Sequence, residues 1–219
     1  MKGIAFAVVI ILTWLGSTLF LFSNQFEIPF LLYIPIILFQ THLFTGLFIT
    51  AHDAMHGLVS PSKKINIWTG RIATTLFMFN NFDRILPKHI NHHKFVGTDK
   101  DPDYHPTNFL HWYLSFLREY INWKQILFTA LLFNLIILFV PVKLVVLFWI
   151  IPSILSTLQL FLFGTYLPHR GSHESGDPNK SKSQAKNHIL AFFTCYFFGY
   201  HREHHQKPHV PWWRLYLER

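Results

Sequence analysis

Three stretches of this chain are too long and too apolar to sit in an aqueous loop or a soluble strand. Ile4 to Phe22 is an uncharged run of 19 residues, about 28 Å as a helix, the thickness of a bilayer's hydrocarbon layer. Ile28 to Thr50 is a second run of the same kind. Ile126 to Tyr166 is a third, long enough for two passes if the chain turns at Pro141-Val142-Lys143. The expected fold is an all-α integral membrane protein with four transmembrane helices, near residues 4–22, 28–50, 126–141 and 144–166. Composition agrees: 51% of residues are hydrophobic and 14% charged, against about 25% charged in soluble domains. At 219 residues the chain is read as a single domain, 1–219. A cleaved signal peptide is the competing reading of residues 1–22, but Ser23-Asn24-Gln25 offers no small-x-small cleavage site. The run is therefore read as a retained anchor.

Charge placement orients these helices. Eighteen of the 19 basic residues fall in Lys2, segment 57–124 and segment 168–219, which a four-pass chain puts on one side. Lys143 alone falls on the other. By the positive-inside rule the heavy side is cytoplasmic, with both termini there, in an inner or cytoplasmic membrane. The net charge of +8 is then an orientation signal and gives little support to nucleic-acid binding. Shorter apolar stretches, Ile65–Phe82, Phe109–Trp123 and Asn187–Tyr200, carry charges or are too short to cross, and read as interfacial or re-entrant helices roofing a cytoplasmic cap. Gly171–Lys186 is a polar linker that reads as mobile. A single cysteine, Cys195, excludes an intrachain disulfide and reads as a small buried hydrophobe.

Against this apolar background stand three histidine clusters: His52-x3-His56, His89-x2-His92-His93 and His201-x2-His204-His205. Positions i, i+3 and i+4 share a helix face, so each cluster can aim its rings at one point. The topology brings all three to the cytoplasmic face. Eight imidazoles exceed what one ion uses, so two metal ions sharing a histidine cage is the economical reading. Iron is expected, because zinc has no redox chemistry. Iron held by imidazoles suits O2-dependent attack on unactivated C–H bonds. Asp53, Asp101, Asp103 and Glu203 are candidates for orienting ligand rings through their second nitrogen, the alternative being exposed loop charges. No haem, flavin or iron–sulfur motif is present, so electrons are expected from a separate protein such as a ferredoxin docking on the basic face.

The remaining histidines lack cluster spacing. His42 lies about 15 Å before His52 along its helix, too deep to share its metals, and is read chiefly as satisfying a neighbouring helix. His105, His111, His173, His188 and His209 are read as surface or interfacial. His209 is assigned to a turn returning the tail to the membrane, with Trp212 and Trp213 as interface anchors.

The three boxes resemble those of the membrane di-iron fatty acid desaturases and hydroxylases. Surrounding residues narrow the resemblance. Ala51-His52-Asp53-Ala54-Met55-His56-Gly57, Gly97-Thr98-Asp99-Lys100-Asp101-Pro102-Asp103, Tyr166-Leu167-Pro168-His169-Arg170, Phe198-Gly199-Tyr200-His201-Arg202-Glu203-His204-His205 and Pro211-Trp212-Trp213-Arg214-Leu215 are similar to the bacterial and algal β-carotene ketolases, from about residue 45 to the C-terminus. The resemblance implies two non-haem irons, O2 as co-substrate and oxidation of the C4 methylene of a membrane-dissolved carotenoid's β-ionone ring. Two hydroxylations and loss of water would carry β-carotene to echinenone and canthaxanthin, or a 3-hydroxylated ring toward astaxanthin. The resemblance also implies His169 as a ninth ligand; Thr165 stands where related desaturases have an Asn. A ring hydroxylase or an acyl-lipid desaturase or hydroxylase on this scaffold is the nearest alternative. A histidine-rich metal transporter is the distant one, since transporters place ligands inside the spanning helices.

Overall fold

The computed structural model describes residues 2–23, 28–174 and 176–219, and among them the chain is helical, with no strand. The helices are α1 (Lys2–Phe22), α2 (Tyr33–Met55), α3 (Lys63–Leu76), α4 (Phe82–Phe95), α5 (Phe109–Tyr120), α6 (Trp123–Ile136), α7 (Val142–His169), α8 (His188–Cys195) and α9 (His201–Gln206). A 3-10 turn, Phe30–Leu32, leads into α2, and another, Trp212–Glu218, closes the chain.

Three segments are long and apolar enough to cross a membrane: Lys2–Phe22, Phe30–Met55 and Val142–His169. They expose the side chains a lipid would meet, among them Val9, Leu12, Leu19, Leu38 and Ile154. Helix α6 departs from expectation. It has 14 residues, about 21 Å, and ends at Ile136 instead of reaching 141. The residue before a proline is pushed away from helical geometry, so the chain turns ahead of Pro141, whose extended ψ of 128° starts α7.

Local chemistry sets the shorter helices. Ser62, Asn81, Asn108, Asn122 and Asn187 each accept a bond from the N–H three residues on, capping α3, α4, α5, α6 and α8. Each such cap is worth about 1 kcal/mol. The expected interfacial stretch 65–82 is broken: α3 ends at Leu76, and Met78 and Phe79 turn the chain at positive φ before the Asn81 cap starts α4. Glycine at position 70 lets α3 and α4 close together, since a Cβ there would overlap the Phe82 ring.

Helix α2 stands at the centre, packed on α1, α3 and α7, with Phe44, Leu47 and Ile49 fully buried. Thr45 Oγ1 lies 2.9 Å from Ser156 Oγ, tying α2 to α7 inside the apolar core. Two prolines shape α7. Pro152 and Pro168 lack the N–H that an α-helix needs, and the helix widens into π turns just before them, at Val146–Ile150 and Leu162–Tyr166.

The tail corrects one expectation. Trp212 is buried, edge-on to Phe6 of α1 and Tyr196, and its backbone N–H reaches Asp53 Oδ2 at 3.3 Å. It is a core residue clamping the tail to α1 and α2, while Trp213 stacks on Phe6 at 4.8 Å. The linker after α7 is likewise tied down: Lys182 N–H bonds Pro168 O, and Gln184 N–H bonds Gly199 O.

Candidate metal centre

Four helix ends deliver nine imidazoles to one place. His52 sits in the last turn of α2 with His56 as its C-cap; His89, His92 and His93 lie on α4, His169 ends α7, and His201, His204 and His205 lie on α9. The rings form two groups, within each of which the candidate ligand atoms lie within 4.8 Å of one another. The first holds His52, His56, His89, His93 and His204; the second holds His92, His169, His201 and His205.

The second and third clusters therefore do not each aim at a single point, as the spacing suggested. At 3.6 residues per turn, positions i and i+4 differ by about 40°, while i+3 falls about 60° to the other side. His89 and His93 go to the first group and His92 crosses to the second. His201 and His205 go to the second and His204 crosses to the first. Each i, i+4 pair stays together, and the i+3 residue joins the groups.

The nitrogens facing one another are all Nε2. His56 and His89 are 2.7 Å apart, His93 and His204 3.0 Å, His169 and His201 3.0 Å, His201 and His205 2.9 Å, and His92 and His205 3.1 Å. A ring nitrogen carries one proton or one lone pair. His201 and His205 each face two nitrogens and cannot satisfy both by hydrogen bonding. Lone pairs converging on a shared cation resolve the conflict, and ligands about 2.1 Å from an ion and at right angles lie about 3 Å apart. This donor set fits a di-iron centre.

Electrostatics favour neutral, ligating rings. Burial holds His89, His201, His204 and His205 well below the ordinary imidazole range, and neighbouring rings add to the effect. His93 is pushed down to about 2 for the same reasons. His92 behaves oppositely: burial works against its protonation, but Asp103 and Asp101 outweigh burial and raise it.

The expected carboxylates divide in role. Asp101 accepts from His92 Nδ1 at 2.9 Å and is held by the Gly97 and Asp103 N–H groups. Asp103 lies 3.8 Å from His92 Nδ1 and accepts from the Tyr120 hydroxyl. Asp53 stands 3.8 Å from His52 Nδ1, beyond hydrogen-bond reach, and its other oxygen takes the Trp212 N–H. Glu203 turns to Ser183 and Arg219, locking the tail, and orients no imidazole among the described residues. Thr165 is buried one turn before His169. His42 stacks flat on Tyr196 at 4.2 Å, between α2 and α8, and belongs to neither group. His105 and His173 are half-buried and His111 and His209 exposed, all four outside the groups. His188 Nδ1 is 3.0 Å from the Tyr200 hydroxyl.

The fatty acid desaturase family model matches residues 28–133 and 112–217, ranges that between them hold all nine histidines. The β-carotene ketolase of Paracoccus sp. (strain PC1) is 40% identical over 179 residues, covering 80% of this chain and 74% of that protein. The chain belongs to the β-carotene ketolases of the fatty acid desaturase family. The zeaxanthin 4-ketolase of Chlamydomonas reinhardtii is 35% identical over 233 residues, covering 97% of this chain and 52% of that protein. A ferredoxin-dependent sn-1 acyl-lipid omega-3 desaturase of Synechocystis sp. matches over 90 residues, 38% of this chain.

Beneath the imidazoles the ketolase has a narrow chamber of about 60 Å³, lined by His52, His89, His92 and His201 on one side and by Phe48, Ile85, Phe116, Leu160 and Phe198 among the rest. A second, larger cavity of about 400 Å³ lies between α5, α6 and α7. Phe48, Phe116, Tyr120 and Leu160 line both, forming the neck where they meet. Several contributors here carry no signal in the sequence. Lys180 holds φ at +38° and offers its carbonyl to His169 Nδ1 at 2.8 Å, an unusual backbone for a lysine in a polar linker. Tyr120 and Gly164 likewise stand in aromatic and apolar stretches with nothing to single them out.

Proposed function

We propose that this chain oxidises the C4 methylene of a carotenoid β-ionone ring to a ketone, using two iron ions held by the nine imidazoles. The observation that carries this reading is the convergence of nine imidazoles in two groups beside a largely apolar chamber, in a chain similar to β-carotene ketolases. Bound iron supplies the activation of O2. Asp101 fixes the His92 ring and the Lys180 carbonyl fixes that of His169. The larger cavity admits a long apolar molecule from the bilayer, and the neck of Phe48, Phe116, Tyr120 and Leu160 restricts passage to one end ring. C4 is allylic, so its C–H bonds are weaker than those of an alkyl chain, and positioning alone selects it. Each of two hydroxylations consumes one O2, two electrons and two protons and releases one water; the resulting gem-diol loses water to leave the ketone. β-Carotene gives echinenone and then canthaxanthin.

In this reading residues 1–219 form one membrane domain. α6 completes a fourth, shorter crossing, and the charge asymmetry sets the histidines and both termini on the cytoplasmic side. The shorter helices α3, α4, α5, α8 and α9 cap the metals there. Electrons come from a soluble carrier, a ferredoxin, attracted to the basic face.

The test is expression in a bacterial host that accumulates β-carotene, followed by chromatography and mass spectrometry of the pigments. Echinenone or canthaxanthin, lost in His92→Ala, is the expected result. Hydroxylated carotenoids without ketones would move the enzyme to ring hydroxylation. Unchanged β-carotene, with iron-loaded protein in the membrane, would overturn the carotenoid reading and direct attention to acyl lipids.

A further inference from the structure

The π turn of α7 at Leu162–Tyr166 brings two adjacent residues, Gly164 and Thr165, to the wall of the chamber. Pro168 causes the widening, because it lacks the N–H that would close an α-helical bond to the Gly164 carbonyl. A Cβ built on Gly164 meets no atom within 4 Å, so this stretch of wall is open. Thr165 is buried and lines the same space. Thr41, Thr45, Thr74 and Thr194 turn back to the carbonyl four residues earlier at 2.7–3.1 Å, and Thr18 and Thr50, which also lack a partner, lie outside the chamber. Thr165 makes no such bond, nor any other with the described residues. Of the chamber's other polar groups, Tyr120 donates to Asp103 and His92 bonds Asp101, while the Nδ1 atoms of His52 and His201 have no partner among the described residues. A free hydroxyl in a largely apolar chamber is costly unless the guest brings it a partner.

We infer that Thr165, with the room left by Gly164, receives a hydroxyl carried by the entering ring, so that this chain takes 3-hydroxylated β-ionone rings in preference to bare ones. The inference rests on the ketolase reading above. C3 is bonded to C4, so a 3-hydroxyl must enter the chamber together with the methylene to be oxidised. A bare ring leaves the Thr165 hydroxyl unsatisfied, and sites built around a substrate hydroxyl discriminate against analogues lacking it.

The experiment uses the full chain in a host accumulating both zeaxanthin and β-carotene, and reads the ratio of ketolated zeaxanthin to ketolated β-carotene after correction for pool size. The natural chain is expected to favour zeaxanthin. Thr165→Val is expected to lower the ratio about tenfold, the worth of one hydrogen bond, and Thr165→Ser, which keeps the hydroxyl, to restore it. If Thr165→Val fails to accumulate, Gly164→Ala carries the test: its methyl fills the room for the oxygen and is expected to lower the same ratio. An unchanged ratio, or equal losses on both rings, would overturn the inference while leaving the ketolase reading intact. Build-up of 4-hydroxy products from bare rings would also overturn it, assigning Thr165 to an intermediate common to both substrates. Oxidation of neither ring by the iron-loaded natural chain would remove the ketolase reading itself, and the inference with it.

Discussion

The two histidine groups lie side by side yet are held by different means. The first has five imidazoles, of which His56, His89 and His93 are half-buried, and none has an Nδ1 hydrogen bond among the described residues. Packing holds it: His52 and His204 both meet the Phe198 ring, at 4.6 and 5.1 Å. The second has four imidazoles, all buried, and two are braced through Nδ1, His92 by Asp101 and His169 by Lys180. The number of candidate ligands and their support thus run in opposite directions, and the smaller set is the better fixed. The largest expected effect breaks this pairing. His204→Ala and His92→Ala should each abolish ketone formation, but only His204→Ala should retain about one iron per chain, in the second group. Iron analysis of the purified variants decides it; equal loss from both would mean the two groups stand or fall as one.

Asp101→Asn comes next. Loss of a carboxylate behind a ligating ring typically costs about 10- to 100-fold in metal affinity or activity. Asp53→Asn, the counterpart beside the first group, should cost less than about tenfold, because its carboxylate holds the Trp212 N–H and lies 3.8 Å from His52 Nδ1. Pigment turnover in matched hosts compares the two, and an equal or larger loss in Asp53→Asn would erase the difference between the groups. A milder perturbation sharpens the same contrast. Graded chelation should empty the half-exposed first group before the buried second, giving a one-iron intermediate detectable by iron content and Mössbauer spectroscopy. Simultaneous release would refute it.

Three apolar spans and eight of the nine grouped histidines were legible because each leaves a local signature: an uncharged run near the bilayer's thickness, or imidazoles at helical spacing. The partition of those imidazoles was harder to foresee. It depends on the 40° and 60° offsets within each box, which only acquire meaning once α2, α4, α7 and α9 converge. Helix ends followed capping residues such as Asn81 and Asn122, whereas α6 was overrun because its apolar run continues past Ile136 to Pro141. Glu203 shows the limit from the other side. Its place inside a histidine box suggests a brace, yet on a helix of six residues it faces away from the rings, toward Ser183 and Arg219. Supports that come from distant loops carry no local signal at all.

Lys180 is the clearest of these, and it supplies the smallest test. Its carbonyl holds His169, while its Nζ donates to the Gly97 carbonyl at 3.0 Å. Gly97 in turn donates its N–H to Asp101, which fixes His92. One residue thereby connects the braces of two second-group histidines across 83 residues of sequence. Lys180→Met keeps the backbone carbonyl and removes only the ammonium, so His169 should stay in place while the Gly97 turn loosens. The expected cost is about 1 kcal/mol, or about fivefold in the second group's iron affinity, with the first group unchanged. Lys180→Arg should recover part of this by restoring a donor. A loss that fell on the first group, or that Lys180→Arg did nothing to repair, would show that Lys180 merely fills space in the linker and that the second group's firmness has another source.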